Sequence, residues 1–229
     1  MVSRLDNGAL VTVFGGSGFV GRHAIRALAQ HNWRVRAATR RPDLAGHLQP
    51  MGRVGQIHPV QANLRYPDSV RRALEGAEVA VNAVGILAKS GAQTFDAVHV
   101  AGARAVAKAA REAGVKRLVH VSAIGADPQS AGSYGRSKAA GERAVLEEFP
   151  DAVILRPSIV FGPEDEFFIR FAAMARMSPL LPLIGGGRTK FQPVYVGDVA
   201  KAIVAACEGK AKPGQVYELG GPKSSASAS

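Results

Sequence analysis

The feature that most constrains the fold of this chain is a glycine-rich turn placed directly after a short apolar strand. Residues Leu10–Phe14 are predicted to form the strand, and Gly15-Gly-Ser-Gly-Phe-Val-Gly21 follows at once. The glycines fit two spacings, G-x-x-G-x-x-G from Gly15 and G-x-G-x-x-G from Gly16. Such a pattern is specific only between a strand and a helix at the start of a strand–helix–strand unit, which is its context here.

This turn has the composition of an anion site. Missing side chains let backbone N–H groups approach a pyrophosphate, and the helix that follows directs its positive end at the phosphates. We therefore expect a dinucleotide-binding loop. Its predicted contacts are Gly15, Ser17, Gly18, Phe19 and Val20.

Strand-like and helix-like segments alternate along the rest of the chain, which is typical of a parallel sheet covered by helices on both faces. The predicted strands are residues 10–14, 34–39, 56–61, 79–83, 118–122, 153–155 and 216–219; the predicted helices are 20–31, 67–74, 95–113, 134–149 and 200–206. The sequence thus predicts an α/β doubly wound domain over residues 1–222, with 163–190 as a small covering excursion. Residues 223–229 are low in complexity and are predicted to form a flexible tail.

The end of the second predicted strand bears on which dinucleotide is bound. A site for NAD usually carries an acidic residue there, about 20 positions after the turn, but this chain has Arg40 and Arg41. Guanidinium groups can bind a 2′-phosphate through charge-assisted hydrogen bonds. NADP(H) is therefore favoured and NAD(H) remains possible; the alternative is that these arginines belong only to a basic surface.

Later strand ends are expected to complete the cleft, because ligands in such folds lie across the carboxyl ends of the strands. The residues there are Asn63, Leu64, Ala83, Val84 and Gly85. Asn63, like Asn82, could contact adenine or order its loop, and the small Ala83 and Gly85 permit close approach. Each of them alone is more often an ordinary turn residue than a ligand contact.

Tyr134 and Lys138 are candidate catalytic residues. They are four positions apart, so both can project from one face of a helix. An ammonium near a phenol is expected to lower the phenol pKa, and the lysine can also bind a cofactor ribose. Ser122, at the end of the preceding strand, is a weaker candidate.

Together these segments resemble the short-chain dehydrogenase/reductase superfamily in its extended or atypical branch. The resemblance covers nearly the whole chain: Gly15–Gly21, 82–85, 119–122, Tyr134 with Lys138, 156–163 and 194–200. Within that branch, residues 121–127, 134–142 and 191–200 are similar to the NADPH-binding accessory subunit of respiratory complex I and its bacterial relatives.

The resemblance implies a Rossmann fold with NADP(H) at the glycine turn, with Pro157 and Ile159 as further cofactor contacts and Tyr134 and Lys138 facing the cofactor. In that subfamily the nucleotide is held as part of the assembly, and turnover is not expected. The implied role is structural or redox-sensing. Respiratory complex I subunits are the implied partners.

Three departures bear on catalysis. Active members carry a serine or threonine one or two residues beyond the strand-end serine, where this chain has Ala123 and Ile124, and His99 stands where many relatives carry an asparagine. The chain also stops soon after 219–222, so a small, truncated C-terminal lobe is expected on the substrate side. An active NADPH-dependent reductase, or an NAD(P)-dependent epimerase or dehydratase acting on a small carbonyl or sugar-nucleotide-like substrate, remains the alternative.

The formal net charge of +11, with many of the arginines crowded into residues 34–72, indicates either an anionic partner, such as a phosphorylated cofactor, or a solvated basic surface with no special role. An anionic membrane surface or an acidic protein fits that charge; nucleic acid is disfavoured because no binding motif accompanies it. No metal site is expected, since the six histidines are scattered and Cys207 is alone. With neither a leader nor a long apolar run, the chain is expected to be cytoplasmic, or peripheral on the inner, matrix-equivalent face of a respiratory membrane.

Overall fold

The computed structural model describes residues 8–88, 90–91, 93–165, 190–222 and 225–226. Seven parallel strands form one sheet in the order β10-β6-β5-β4-β1-β2-β3. The strands are β1 (Leu10–Phe14), β2 (Arg34–Thr39), β3 (Ile57–Gln61), β4 (Val79–Asn82), β5 (Arg117–Val121), β6 (Val153–Pro157) and β10 (Val216–Leu219). The strand order reverses between β1 and β4, and in such sheets the ligand crevice opens at that point.

Helices cover both faces of this sheet. They are α1 (Phe19–Gln30), α2 (Pro67–Leu74), α3 (Ala103–Glu112), α4 (Ser133–Glu148) and α5 (Val196–Cys207), with short 3₁₀ turns at Pro42–Leu44 and Gly46–Met51. Three two-residue strands, β7 (Val160–Phe161), β8 (Lys190–Phe191) and β9 (Val194–Tyr195), lie outside the main sheet, and β11 (Ser225–Ala226) pairs antiparallel with β8.

The core is divided between the two faces because successive residues of a strand point to opposite sides. Val11 and Val13 of β1 pack on the face covered by α1 and α5, with Ile25, Leu28 and Ile203. Phe14 belongs to the other face, with residues of α2, α3 and α4 such as Leu74, Val106 and Val145. Burial on both faces is why central strands such as β1, β4 and β6 contain nearly continuous apolar runs.

The predicted fold class is confirmed, and the bounds of β1, β2, α2 and β10 match the prediction residue for residue. The other predicted strands and helices shift by one or two residues at one or both ends, apart from the last helix, which runs from 196 to 207 instead of 200 to 206. The short strands β7, β8, β9 and β11 were not predicted. Cys207 at its end is buried, as expected of a small hydrophobe.

Two predictions need correction. The single helix expected over 95–113 is a π-helix at Asp96–Gly102 followed by α3. Two residues of the predicted flexible tail, Ser225 and Ala226, form β11. Most of the predicted covering excursion, residues 166–189, lies outside the described residues.

A partly buried ion pair fixes α4 against the sheet. The guanidinium of Arg156 on β6 donates to both carboxylate oxygens of Glu142, at 2.9 Å and 2.7 Å. Near this pair, Gly141 lies so close to the π-helix that a Cβ built on it would stand 2.1 Å from the carbonyl oxygen of His99. The contact sets the depth at which α4, which carries Tyr134 and Lys138, sits in the fold.

We predict that Gly141→Ala destabilises the protein by about 2 to 3 kcal/mol, because the added methyl group meets backbone that cannot rotate away. Urea unfolding followed by circular dichroism measures the change. Gly46→Ala is the matched control, since a Cβ at Gly46 meets nothing within 4 Å. A Gly141 variant as stable as the Gly46 variant would contradict this packing.

Candidate functional site

A cleft opens at the carboxyl ends of β1, β2, β3 and β4, at the reversal of strand order. The described residues that line it are Phe14, Gly15, Ser17, Gly18, Ala38, Thr39, Arg40, Ala62, Asn63, Leu64, Arg65, Ala83, Val84, Gly85, Ile86, Gln93, Ala97 and Val98. Most of the predicted cofactor contacts are among them. Every parallel strand of this half of the sheet therefore contributes its end to one site.

The glycine turn is closed by its own backbone. Gly15 has φ +75° and donates its N–H to the carbonyl of Ala38 at 3.1 Å, while the N–H of Gly18 donates to the carbonyl of Gly15 at 3.0 Å. A Cβ on Gly21 would lie 2.1 Å from that same Gly15 carbonyl oxygen. Only a glycine at position 21 therefore allows α1 to start this close to the turn.

The first turn of α1 is suited to an anion. Gly18 is the N-cap residue, no side chain caps the helix, and the first turn contains no acidic residue. The leading N–H groups of a helix have no partner within the helix, and its dipole favours negative charge there. The N–H of Gly18 is already bonded to the Gly15 carbonyl, so the described residues fit a diphosphate at the N–H groups of Phe19 and Val20, although these two are not among the residues that line the cleft.

Arg22 holds the turn from its outer side. Its guanidinium donates to the carbonyl of Ser17 at 3.2 Å and to the Glu164 carboxylate at 2.5 Å. The adjacent His23 ring contacts the carbonyl of Pro163 at 3.3 Å. These contacts tie residues 163–164 to the start of α1.

The end of β2 separates the two arginines that the sequence grouped together. Arg40 lines the cleft, whereas Arg41 is absent from the lining residues and pairs with the Asp43 carboxylate at 2.9 Å. Thr39 also lines the cleft; it is 4% exposed, and its hydroxyl has no hydrogen-bond partner among the described residues. The polar groups offered to a ligand here are those of Thr39 and Arg40, while Arg41 is held by Asp43.

Both strand-end asparagines order their own loops. Asn63 Oδ1 accepts the N–H of Arg65 at 3.2 Å, and Asn82 Oδ1 accepts the N–H of Val84 at 3.1 Å. The amide nitrogen of Asn82 lies 3.2 Å from Nδ1 of the buried His120. The loop-ordering alternative given above is the one that the geometry supports.

Tyr134 and Lys138 occupy one side of α4, but neither lines the cleft. Lys138 is buried and donates from Nζ to the carbonyl of Val121 at 3.1 Å. Burial lowers the pKa of Lys138 to about 8, against an opposing effect of the Glu142 carboxylate. Burial also raises the pKa of Tyr134, so the expectation that Lys138 would lower the phenol pKa is wrong for this structure.

His99 connects Tyr134 to the cleft. Its Nε2 accepts the N–H of Ile86 at 3.1 Å, so the neutral ring carries its proton on Nδ1, which donates to Ser137 Oγ at 2.9 Å. The Ser137 hydroxyl in turn donates to the carbonyl of Tyr134 at 2.7 Å. The His99 ring stacks on Phe95 and meets the Tyr134 ring edge-on. His99 thus holds a cleft loop and the tyrosine in a fixed relation.

Ser122 lies one residue beyond β5 and is 5% exposed, with no hydrogen-bond partner for its hydroxyl among the described residues. The two residues that follow it, Ala123 and Ile124, have no hydroxyl group. Like Tyr134 and Lys138, Ser122 is outside the set of lining residues, and so are Pro157 and Ile159.

Sequence reasoning missed several lining residues, notably Thr39, Arg65, Ile86 and Gln93. Thr39 and Arg65 had a usable signal, because each is adjacent to a predicted contact at the end of a strand. The sequence contains no comparable signal for Ile86 and Gln93, because their position depends on the path of the loop between β4 and the π-helix.

Comparison with known proteins agrees with this architecture. The family model described as "NAD dependent epimerase/dehydratase family" matches residues 11–220. The mitochondrial "NADH dehydrogenase [ubiquinone] 1 alpha subcomplex subunit 9" of Arabidopsis thaliana is 39% identical over 219 residues, which cover 94% of this chain and 54% of that protein. The "Ceramide reductase" of Caulobacter vibrioides is 36% identical over 202 residues, covering 88% of this chain and 62% of the reductase.

Among solved structures, MoeE5 in complex with UDP-glucuronic acid and NAD superposes with a TM-score of 0.78 at 21% identity, covering 95% of this chain and 78% of MoeE5. That likeness shows the fold. The chain belongs to the NAD dependent epimerase/dehydratase family, an extended branch of the short-chain dehydrogenases/reductases. Its cofactor class is a nicotinamide dinucleotide. The chain spans between about half and two thirds of the two curated relatives described above.

Neither a metal centre nor a membrane-spanning helix is found among the described residues. No group of three or more histidine, cysteine, aspartate or glutamate side chains is placed to hold a metal ion within that part of the chain. None of its helices combines the length and apolar character that a membrane span requires.

The buried His99 predicts a pH dependence of stability. Burial, aided by the Lys138 ammonium, lowers its pKa to about 4, whereas an unfolded histidine has a pKa near 6.5. The unfolded chain therefore binds more protons between these values, and the free energy of unfolding falls as the pH decreases from about 6.5 to 4. The loss attributable to His99 is about 3 kcal/mol.

Urea unfolding at a series of pH values, with His99→Asn as the comparison, measures this contribution. The variant should lose less stability on acidification than the parent protein, because it lacks the His99 contribution. The buried His120 is present in both proteins, so its contribution drops out of the comparison. Parallel stability curves for the two proteins would contradict a neutral His99.

Proposed function

We propose that this chain is an NADP(H)-binding protein with a structural or redox-sensing role in a respiratory assembly, related to complex I. The observation that carries the nucleotide assignment is the cleft wall at the end of β2, which Thr39 and Arg40 line; the Thr39 hydroxyl has no hydrogen-bond partner among the described residues. The described lining residues include no aspartate or glutamate. A 2′-phosphate is favoured over free ribose hydroxyls by such a wall.

The assembly role is supported by similarity to the complex I subunit and by the state of the catalytic groups. Lys138 is engaged with the carbonyl of Val121, and the positions after Ser122 supply no second hydroxyl. Tyr134 and Lys138 then serve as structural and cofactor-holding groups. The proposed partners are complex I subunits or an anionic membrane surface, which the charge of +11 favours, and the proposed location is peripheral on the inner face of a respiratory membrane.

A second candidate is an NADPH-dependent reductase. It is favoured by the buried hydroxyl of Ser122, which has no partner among the described residues, and by similarity to a protein named as a reductase. The bound cofactor would supply a hydride to a carbonyl carbon. The neutral Tyr134 phenol, whose pKa burial raises, would give its proton to the carbonyl oxygen, with Ser122 as a hydrogen-bond donor to that oxygen.

We predict that Arg40→Ala weakens NADPH binding by about tenfold or more, because a charge-assisted hydrogen bond contributes about 1.5 to 3 kcal/mol. NADH affinity should change less than about twofold. Isothermal titration calorimetry measures both, with Arg41→Ala as the matched control because Asp43 already holds that guanidinium. Equal losses for the two nucleotides would contradict the proposed preference for NADP(H).

The two candidate roles separate in one experiment on the native full-length protein. Affinity isolation from its own cells should recover NADP(H) together with respiratory-chain polypeptides, and the purified protein should oxidise NADPH with none of a broad panel of carbonyl compounds. If turnover is found, Tyr134→Phe should abolish it while leaving NADPH affinity nearly unchanged. That pair of results would replace the assembly role with the reductase.

A further inference from the structure

Three polar side chains at the ends of two neighbouring strands share one wall of the cleft. Thr39 and Arg40 come at the end of β2, and Arg65 lies four residues beyond the end of β3. The two strands pair directly, with Thr39 opposite Gln61. The loops that leave them start side by side, and all three side chains line the same cleft.

The charges on this wall have one sign. Arg40 and Arg65 have no ion-pair partner among the described residues, and the described cleft lining contains no carboxylate. The nearby Arg41 differs, since it does not line the cleft and is paired with Asp43. The wall thus offers two guanidinium groups to a ligand that carries a compact negative charge.

The hydroxyl of Thr39 is a second, independent sign of a ligand. A buried hydroxyl without a hydrogen bond costs free energy, and such groups usually have a partner. The Thr39 residue is 4% exposed, and its Oγ1 has none within the described part of the chain. Because Thr39 lines the cleft, a phosphate oxygen bound against this residue is a candidate acceptor for that donor.

The backbone that carries Arg65 is fixed before any ligand arrives. Asn63 Oδ1 accepts the N–H of Arg65, the N–H of Tyr66 donates to the carbonyl of Asn63 at 2.8 Å, and Ser69 Oγ donates to that same carbonyl at 3.0 Å. The guanidinium of Arg65 lies 5.8 Å from the centre of the Tyr66 ring. A preordered loop reduces the entropy that binding must spend on Arg65.

We propose that Arg65 is a specificity-determining residue of the cleft, which together with Thr39 and Arg40 clamps the 2′-phosphate of NADP(H). This assignment rests on the proposed NADP(H) binding and deepens it. It replaces the Arg40–Arg41 pair expected from the sequence with an Arg40–Arg65 pair drawn from two different strand ends. The clamp recognises a phosphate monoester on the ribose, not the adenine ring.

Calorimetric titration of the whole chain with NADPH and NADH tests the clamp. Arg65→Ala should weaken NADPH binding about tenfold and change NADH binding less than about twofold, whereas Arg41→Ala should leave both unchanged. Arg65→Lys should recover part of the NADPH affinity, because it keeps the charge and loses the planar fork. Thr39→Val should also weaken NADPH selectively.

Smaller probes isolate the phosphate from the rest of the nucleotide. Adenosine 2′,5′-bisphosphate, which differs from AMP only by its 2′-phosphate, should bind the parent protein more tightly than AMP, and Arg65→Ala should remove most of that difference. Equal weakening of both probes, or of NADPH and NADH, would mean that Arg65 acts on adenine and would overturn the clamp. Unchanged binding of every ligand by Arg65→Ala would overturn it as well.

These outcomes are distinct from failure of the proposed function. If the unsubstituted protein binds neither nucleotide, or binds both equally, the NADP(H) assignment itself is wrong and the clamp falls with it. If the parent prefers NADPH and Arg65→Ala keeps that preference, only the clamp is wrong. Arg65 is exposed and outside the core, and matching circular dichroism spectra will show that the variants are folded.

Discussion

The site depends on the close backbone contact between Gly21 and the carbonyl of Gly15. No Cβ fits at position 21, so α1 begins directly against the turn that closes the end of β1. The same turn is anchored to β2 through the carbonyl of Ala38. The uncapped start of α1 is thereby positioned at the reversal of strand order, where the ends of four strands form the cleft. The local sequence thus determines where an anion can bind.

The second half of the site is organised by buried polar groups on and around α4. The Arg156–Glu142 pair and the tight packing of Gly141 fix the helix, and His99 joins it to the loop at Ile86. Burial keeps His99 neutral and Tyr134 protonated, so both groups enter any chemistry as hydrogen-bond donors or acceptors and not as charges. A site built this way holds its geometry firmly, which suits a permanently bound nucleotide as well as a reaction.

Much of the fold followed from the sequence because its strongest signals are local. β1, β2, α2 and β10 are apolar or amphipathic runs between glycine, proline and charged residues, and their bounds were predicted residue for residue. The π-helix at Asp96–Gly102 was not predicted. In this segment the carbonyl of His99 packs against Gly141, which lies more than 35 residues further along the chain. Short-range patterns contain no information about such a contact.

The candidate site shows the same division. The residues that line the cleft as expected are Gly15, Ser17 and Gly18 of the glycine turn and the strand-end residues Asn63, Leu64, Ala83, Val84 and Gly85. The sequence did not show which arginines line the cleft. Arg41 pairs with Asp43 outside the cleft, whereas Arg65 lies beside Arg40 because β2 and β3 are neighbouring strands. The pKa of Tyr134 was mispredicted because the degree of burial depends on Phe95 and His99, which come from another helix.

Amide hydrogen exchange, followed by NMR on the nucleotide-free protein before and after addition of NADPH, tests the central claim most directly. If main-chain N–H groups at the start of α1 hold the diphosphate, exchange at Phe19 and Val20 should slow strongly when NADPH is added. Amides in the last turn of α3, just before the start of β5 and so at the opposite edge of the sheet, should be unaffected beyond the general stabilisation of the fold. Unchanged exchange at Phe19 and Val20, with NADPH demonstrably bound, would contradict the account.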